Sequence, residues 1–366
     1  MFSILKPFLF NLDPETAHDL AIKSLKFDFI PEKFFKVENE EMLETTFLKR
    51  KIKNPIGLAA GFDKSAEVYK QLSKLGFGLI EVGTVTPEKQ FGNPKPRIFR
   101  LEEDEALINR LGFNNDGLET IMKRLDRRID PSFSLGVNIG PNFDSSSYEA
   151  DFCLCLFNIM KRRLADYVTI NISSPNTENL REYQKEVKLE SLMKTINKLK
   201  KEPINTIQTD IGLEKKKEII DIPVFLKLSP DIKDSSVEKI SEIIINQKIS
   251  GVILTNTSNI NRSSLKSSNK NQVGGLSGKP IRELSTELIK KFYKKLKGKA
   301  YIIGVGGVDS GKSAFEKIAA GANAVQLYTG MIYKGPGIVK AIKKELIQIL
   351  KEEGIKNIKE AVGKDV

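Results

Sequence analysis

Residues 167–181 read YVTINISSPNTENLR. Val168, Ile170 and Ile172 alternate with smaller or polar residues, the pattern of a buried strand. The stretch then breaks into Asn171, Ser173, Ser174, Pro175, Asn176 and Thr177. Polar and turn-forming residues at the end of a strand have two readings. One is a capped turn leading into a helix; the other is a strand exit that carries chemistry. The rest of the chain decides between them, because the same unit recurs along it.

Residues 54–60 form an apolar run ending in Gly61, Phe62, Asp63 and Lys64, with a helix to follow. Residues 77–82 form the next, ending in Gly83, Thr84 and Thr86, and a long connection over 87–115 leads to another helix. Further runs lie at 135–139 with Asn138, at 167–172, at 224–228 with Lys227, and at 251–255 with Asn256 and Thr257 beyond. The last two are 301–305, running into Gly306 and Gly307, and 324–327, running into Tyr328, Thr329 and Gly330. Eight strands alternating with helices predict an α/β fold, a (β/α)8 TIM barrel. In that fold the strand exits surround one mouth, so the polar residues gathered there share a pocket.

Ahead of the barrel, residues 1–40 predict a small amphipathic helical hairpin, leaving 41–366 for the barrel. Leu5, Phe8, Leu9 and Leu12 share one helical face, and Asp13 caps a second helix that has Pro14 in its first turn. His18, the one histidine of the chain, sits among the apolar positions of that helix. The hairpin reads either as a simple packed appendage or as a membrane-docking element that admits an apolar ligand. Residues 37–51 are the candidate linker. Residues 201–222 read as a charged, helical, superficial excursion, and 258–273, rich in Ser, Asn and Lys, as a mobile loop over the mouth.

The 366 residues are 40% apolar, enough for a real core, and no apolar run reaches membrane-spanning length. The start, MFSILKPFLF, lacks a basic leader and a cleavage site and reads as mature protein. Cys153 and Cys155 point to different helix faces, and no metal-ligand or disulfide pattern appears. The formal charge of +12 arises from 59 basic and 47 acidic residues, interleaved as on a solvated surface. Such a surface suits anionic lipid or nucleic acid, and charge alone does not choose between them.

Three glycine stretches bear on the mouth: GVGG at 304–307 before Asp309 and Ser310, YTG at 328–330, and GGLSGKP at 274–280. The first two follow strands seven and eight, where barrels of this type hold phosphate, so a phosphate-bearing cofactor is expected. Lys227 ends an apolar strand, where a charge is costly without an anionic partner. It reads either as a salt bridge across the barrel or as the cation beside the pyrimidine edge of a flavin. Thr84, Asn138, Asn171 and Thr255 offer hydrogen bonds to such a ring. Lys64 with Asn109, Asn114, Asn176 and Asn256 suits a small acid that carries ring amides. Ser174 is the candidate base, with Thr177 as a relay. No Asp–His pair supports a hydrolytic serine.

These residues resemble the class 2, quinone-linked dihydroorotate dehydrogenases of pyrimidine synthesis. The matching runs are DPETAH, NPIGLAAGFDK, GFGLIEVGTVTP, GNPKPRIFRL, INRLGFNN, NISSPNT, LTNT, GGLSGKP, IIGVGG and VQLYTG, in order over nearly the whole chain. The resemblance implies FMN held by Ala60, Gly61, Lys64, Thr84, Asn138, Asn171, Lys227, Thr255, Gly278, Gly307, Tyr328 and Thr329. It implies dihydroorotate held by Lys64, Asn109, Arg110, Leu111, Gly112, Phe113, Asn171, Asn176, Asn256 and Thr257. Ser174, assisted by Thr177 and Lys64, would remove the C5 proton to give orotate. His18, Arg100 and Tyr328 match positions that look onto the quinone tunnel. Relatives with a soluble acceptor usually carry cysteine at the place of Ser174, which favours the quinone class.

The resemblance further implies a monomer peripheral to the cytoplasmic face of a bacterial inner membrane, the mitochondrial inner membrane being the alternative, with no nucleic-acid partner and no metal. One departure is Pro141-Asn142-Phe143, where many relatives flank the asparagine with lysines. Two rivals stand beside this reading. A flavin barrel acting on tRNA would suit the basic charge, but it would carry a cysteine acid and an RNA-binding extension. A non-catalytic phosphate-binding scaffold is the other.

Overall fold

The eight strands form where the alternation places them. In the computed structural model, which describes residues 2–125, 133–208, 214–259 and 262–366, they are β1 (Ile56–Leu58), β2 (Leu79–Val85), β3 (Ser134–Ile139) and β4 (Tyr167–Asn171), then β5 (Val224–Leu228), β6 (Gly251–Leu254), β7 (Tyr301–Val305) and β8 (Ala324–Leu327). All pair in parallel, in sequence order, and β8 pairs with β1 to close the barrel. One side of each strand carries residues such as Ile80, Val82, Val168, Ile170, Leu226 and Val252, which pack in the large core together with helix residues such as Phe152, Leu192, Ile240 and Phe292.

The other side of each strand faces the barrel axis, and its chemistry changes along that axis. At the entry end Leu79, Tyr167, Phe225, Ile253 and Ile303 fill the interior. Gly136 and Gly251 make the room: a Cβ at either would fall 2.2 Å from the ring of Tyr167 or Phe225. Two residues further along come Glu81, Thr169, Lys227 and Gln326, all buried. At the exit end stand Thr84, Asn138, Asn171 and Thr255. In β2 the pairing register shifts between Val82 and Val85. Gly83, at φ +106° within this shift, leaves no space for a side chain, since a Cβ would fall 2.3 Å from the Asn138 carbonyl oxygen.

Residues 37–51 are more than a linker. The antiparallel pair Thr45–Phe47 and Arg50–Ile52 sets Phe47 under the barrel. Its ring lies 5.8 Å from those of Tyr167 and Phe225 and 5.5 Å from that of Tyr301. A barrel bottom is an apolar layer that needs a cover, and this hairpin supplies one.

The N-terminal helices α1 (Phe2–Asn11) and α2 (Pro14–Lys26) are present, with the Asp13 carboxylate accepting the N–H groups of Glu15 and Thr16. Of the four residues expected on one face of α1, Leu9 lines a cavity beside the barrel and Leu5, Phe8 and Leu12 face solvent. Phe2 and Phe10 also turn toward the barrel, whereas Ile4 is exposed. A helix this rich in apolar residues has them all round. Polar clamps from the long connection hold the pair in place. Arg97, buried, makes a two-point ion pair with Glu15 (2.5 and 3.1 Å). Arg100 donates to the carbonyls of Phe10 (3.0 Å) and Leu12 (2.8 Å), at the end of α1 where a cation is favoured.

Three other expectations change. Residues 204–208 and 214–218 pair as an antiparallel β-hairpin where a helix was expected; Pro203 stops the helix Glu186–Lys201, and buried Ile204 begins the strand. The expected glycine turn at 274–280 is largely strand: Gly275–Gly278 pairs with Ala106–Asn109, which pairs with Ile98–Leu101. The loop over 258–273, of which 260–261 lie outside the described residues, is pinned to this small sheet. Leu265 is buried with Leu101 and Leu276, and Asp104 accepts the N–H groups of Lys266 and Ser267 at 3.0 Å.

Phe47→Ala, by emptying the aromatic floor, is expected to cost about 3–5 kcal/mol. Equilibrium denaturation in urea checks it.

Candidate active site

Each strand of a parallel barrel points its inward residues toward the same mouth, so the polar ends of β1 to β8 converge. One cavity there is lined by Ala60, Gly61, Lys64, Thr84, Asn109, Leu111, Gly112, Phe113, Asn171, Ser174, Asn176, Lys227, Thr255, Asn256, Thr257, Gly278, Gly307, Tyr328 and Thr329. Most of the residues singled out from sequence are therefore brought together.

His18 and Arg100 lie at a second cavity, and three of the cofactor, substrate and catalytic candidates are not in that lining. Asn138 is fully buried behind it, donating to Glu81 (2.8 Å) and accepting from Thr84 Oγ1 (2.7 Å) and Asn171 Nδ2 (3.2 Å). Arg110 turns outward, donating to Val273 O and Pro96 O (both 2.9 Å) and stacking on Phe99. Thr177 is buried beside the lining.

At one end of the cavity lies a place for an anion. Gly306 (φ +118°) and Gly307 (φ +71°) follow β7, and among the described residues the N–H groups of Gly306, Gly307 and Val308 have no partner. Successive free N–H groups in such a turn form an anion-binding nest. Arg282 holds the turn from behind, donating to Gly307 O (2.9 Å) and pairing with Asp309 (2.6 Å). Ser310 caps the helix that follows, Gly311–Ala319.

In the middle stands Lys227. It is 5% exposed, lines the cavity, and has no hydrogen-bond or ion-pair partner among the described residues. The salt bridge across the barrel is thus not formed. Burial lowers its pKa, opposed by the field of Glu81. At the far side Lys64 faces the asparagines. Burial, opposed mainly by Glu15, pushes its pKa down to about 8.

The loop after β4 covers this end. Ser174 Oγ, buried, accepts the Asn176 N–H (3.2 Å), and among the described residues no carboxylate or imidazole touches it. Asn176 Nδ2 donates to Asn109 O (3.2 Å), and Asn256 Nδ2 to Ser173 Oγ (2.8 Å). In the Pro141–Phe143 departure, Asn142 ties loops together, accepting Glu88 N–H (2.9 Å) and donating its own N–H to Asp151 (2.9 Å), while Phe143 is exposed.

A second, apolar cavity lies between α1, α2 and the barrel. Phe2, Phe10, His18, Phe62, Arg100 and Tyr328 are among its walls. Tyr328, Ile98 and Leu107 border both cavities. His18 stands edge-on to Phe62, its Nδ1 without a partner among the described residues. Burial, then repulsion from Lys64, pushes its pKa down to about 3, so the ring is neutral.

The residues that sequence reasoning passed over are Glu81, Gln326, Arg97, Arg181 and Arg282. The rule applied to Lys227, a charge inside an apolar strand, applies equally to Glu81 in GLIEVG. For the arginines, whose partners are backbone carbonyls and distant carboxylates, no local signal exists.

A profile of the dihydroorotate dehydrogenase family matches residues 42–350. The chain is 45% identical over 353 residues to a protein of Bartonella tribocorum named dihydroorotate dehydrogenase (quinone), covering 96% of this chain and 93% of that one. A protein of the same name from Christiangramia forsetii is 44% identical, covering 94% and 98%. Among solved structures, the dihydroorotate dehydrogenase of Eimeria tenella in complex with ferulenol superposes with a TM-score of 0.87 at 37% identity, covering 96% of each chain. Its ligand-free form gives 0.88. With the profile spanning the barrel and relatives matched nearly end to end, this chain belongs to the dihydroorotate dehydrogenase family.

Proposed function

We propose that this protein oxidises dihydroorotate to orotate, with FMN as hydride acceptor in the first cavity and a membrane quinone as final acceptor at the second. The observation that carries the reading is the wall shared by the two cavities. A chamber with an anion nest, polar strand exits and a lysine that has no partner among the described residues meets an apolar chamber, across Tyr328, Ile98 and Leu107.

The residues present fit FMN. The free N–H groups of Gly306 and Gly307, with Gly278 and Thr329 beside them, suit its phosphate. Lys227, buried without a counter-ion among the described residues, suits the pyrimidine edge of the ring, where negative charge accumulates on reduction. Thr84, Asn171, Thr255, Ala60 and Gly61 line the remainder. Asn138 serves from behind, by orienting Asn171. When bound, FMN supplies the capacity to take a hydride and hand on its electrons.

The chain's own residues do the rest. Lys64 would hold the substrate carboxylate, and Asn109, Asn176 and Asn256 the ring amides, each able both to donate and to accept. Leu111, Gly112, Phe113 and Thr257 complete the lining, and Arg110 fixes the surrounding loops. Ser174 would take the C5 proton, with Thr177 buried nearby. At the second cavity, neutral His18, Arg100 and Tyr328 would meet the quinone head.

The N-terminal helices supply the route from a bilayer. Ile4, Leu5, Phe8, Phe27 and Phe29 are exposed on or beside them, a patch that suits lipid better than water. No helix among the described residues is long and apolar enough to cross a membrane. The protein would lie on the cytoplasmic face of a bacterial inner membrane as a monomer, a reading supported by two cavities that one chain lines without a second copy.

Ser174→Ala is expected to slow flavin reduction by dihydroorotate by ~10²–10⁴-fold, the contribution of a positioned base; anaerobic stopped-flow absorbance measures it. Lys227→Met removes a buried charge that has no contact partner among the described residues. It should stabilise the FMN-free protein by about 1–3 kcal/mol in urea titrations while weakening FMN binding. Lys64 is a cation below about pH 8 and neutral above it. The Kd of orotate should therefore be flat up to about pH 8, then rise toward about tenfold per pH unit as the charge is lost. Orotate titrations from pH 6.5 to 9.5 follow this.

A further inference from the structure

The loop that carries Ser174 has no regular structure between the end of β4 and the 3-10 turn Leu180–Gln184. A serine base depends on where its oxygen stands, and an unsupported loop does not hold an oxygen still. The amides of Asn171 and Asn256 hold the Ser173 side chain, and one guanidinium holds the loop's backbone. Arg181 Nε donates to the carbonyl of Ser173 (3.0 Å), one peptide before Ser174. Its Nη2 donates to the carbonyl of Thr257 (3.0 Å), a residue of the cavity lining. Its Nη1 pairs with Asp231 (2.8 Å).

Asp231 is itself a hub. Its carboxylate also accepts Ser258 Oγ (2.6 Å) and the N–H of Asn259 (2.9 Å). One planar fork therefore joins the loops after β4, β5 and β6, which carry Ser174, Asp231 and Thr257. Two of its three bonds go to carbonyls, so attraction to Asp231 alone does not explain the arrangement. A lysine, a point charge on a flexible stem, could keep the ion pair but could not bridge both carbonyls in this geometry.

We propose that Arg181 is a positioning residue for proton removal: it sets the Ser173–Ser174 peptide against the Thr257 side of the substrate site, and so fixes the line along which Ser174 Oγ meets the C5 hydrogen. The proposal rests on the reading of Ser174 as the base. It asks nothing of Arg181 toward FMN or quinone, since Ser173, Thr257 and Asp231, the residues it bonds, are not among those assigned to either.

The test uses the FMN-loaded full chain and the variants R181A, R181K and S174A. Flavin reduction by dihydroorotate should fall about 100-fold in R181A and about tenfold or more in R181K, the scale of a misplacement near 1 Å. Orotate affinity, FMN retention and reoxidation of dithionite-reduced enzyme by a quinone analogue should stay near parental values. A merely structural arginine would disturb these together. Added guanidinium chloride at low millimolar concentration should restore part of the rate in R181A and none in S174A. Parental flavin reduction in both R181A and R181K overturns the proposal, as does an equal loss in reduction and reoxidation. Should R181A fail to fold, R181K carries the same comparison. A fast S174A would refute the serine as base and the proposal with it; a slow S174A beside a fast R181K would refute the fork alone.

Discussion

The structure turns on a carboxylate sealed inside the barrel. Glu81 has no solvent exposure and accepts hydrogen bonds from Asn138 Nδ2 (2.8 Å), Tyr167 OH, Thr169 Oγ1 and Gln326 Nε2 (3.2 Å each). A buried charge left without such partners costs several kcal/mol, so β2, β3, β4 and β8 must meet in one register. The same bonds orient the amide above. With its nitrogen committed to Glu81, Asn138 turns Oδ1 toward Thr84 and Asn171. Asn171 then turns its own Oδ1 toward Ser173 and Asn256. Each amide is fixed by the one beneath it, from the barrel's centre to the loop beside Ser174.

Glu81 also answers the electrostatic problem of Lys227. An ammonium buried without a contact partner among the described residues needs a negative field, and the carboxylate provides it without touching the lysine. The charge stays available to a ligand in the cavity. Stability is lost at Lys227 in exchange for a preorganised cation, the usual pattern of a functional site held by a well-satisfied scaffold.

Around this centre, arginines tie the irregular segments down. Arg97 and Arg100 hold α1 and α2, Arg181 the loop of Ser174, and Arg282 the glycine turn after β7. All four donate to backbone carbonyls, groups that loops leave unpaired and that a forked guanidinium can gather several at a time. The long connection after β2 thereby serves two sites at once. Its strand Ile98–Leu101 sends Arg100 to the hairpin, while Ile98 and Leu107 stand in the wall between the cavities.

Eight short apolar runs alternating with helical stretches were enough to determine the barrel, because a parallel strand buried on both faces and an amphipathic helix are each legible in local pattern. Convergence at the mouth followed, and with it the gathering of Lys64, Ser174, Lys227 and the asparagines. Local pattern failed where the partner was remote. Residues 274–280 look like a glycine turn until Ala106–Asn109 offers a strand to pair with, and 37–51 look like a linker until the aromatic floor needs Phe47. Asn138 is polar at a strand end like Asn171, yet its amide is spent on Glu81, fifty-seven residues away in the chain. The residue types and their facing were thus determined by sequence alone. Which polar group is consumed inside and which is left free for a ligand was decided only by tertiary structure, since hydrogen bonds between strands are settled by register and proximity, which no single stretch of chain contains.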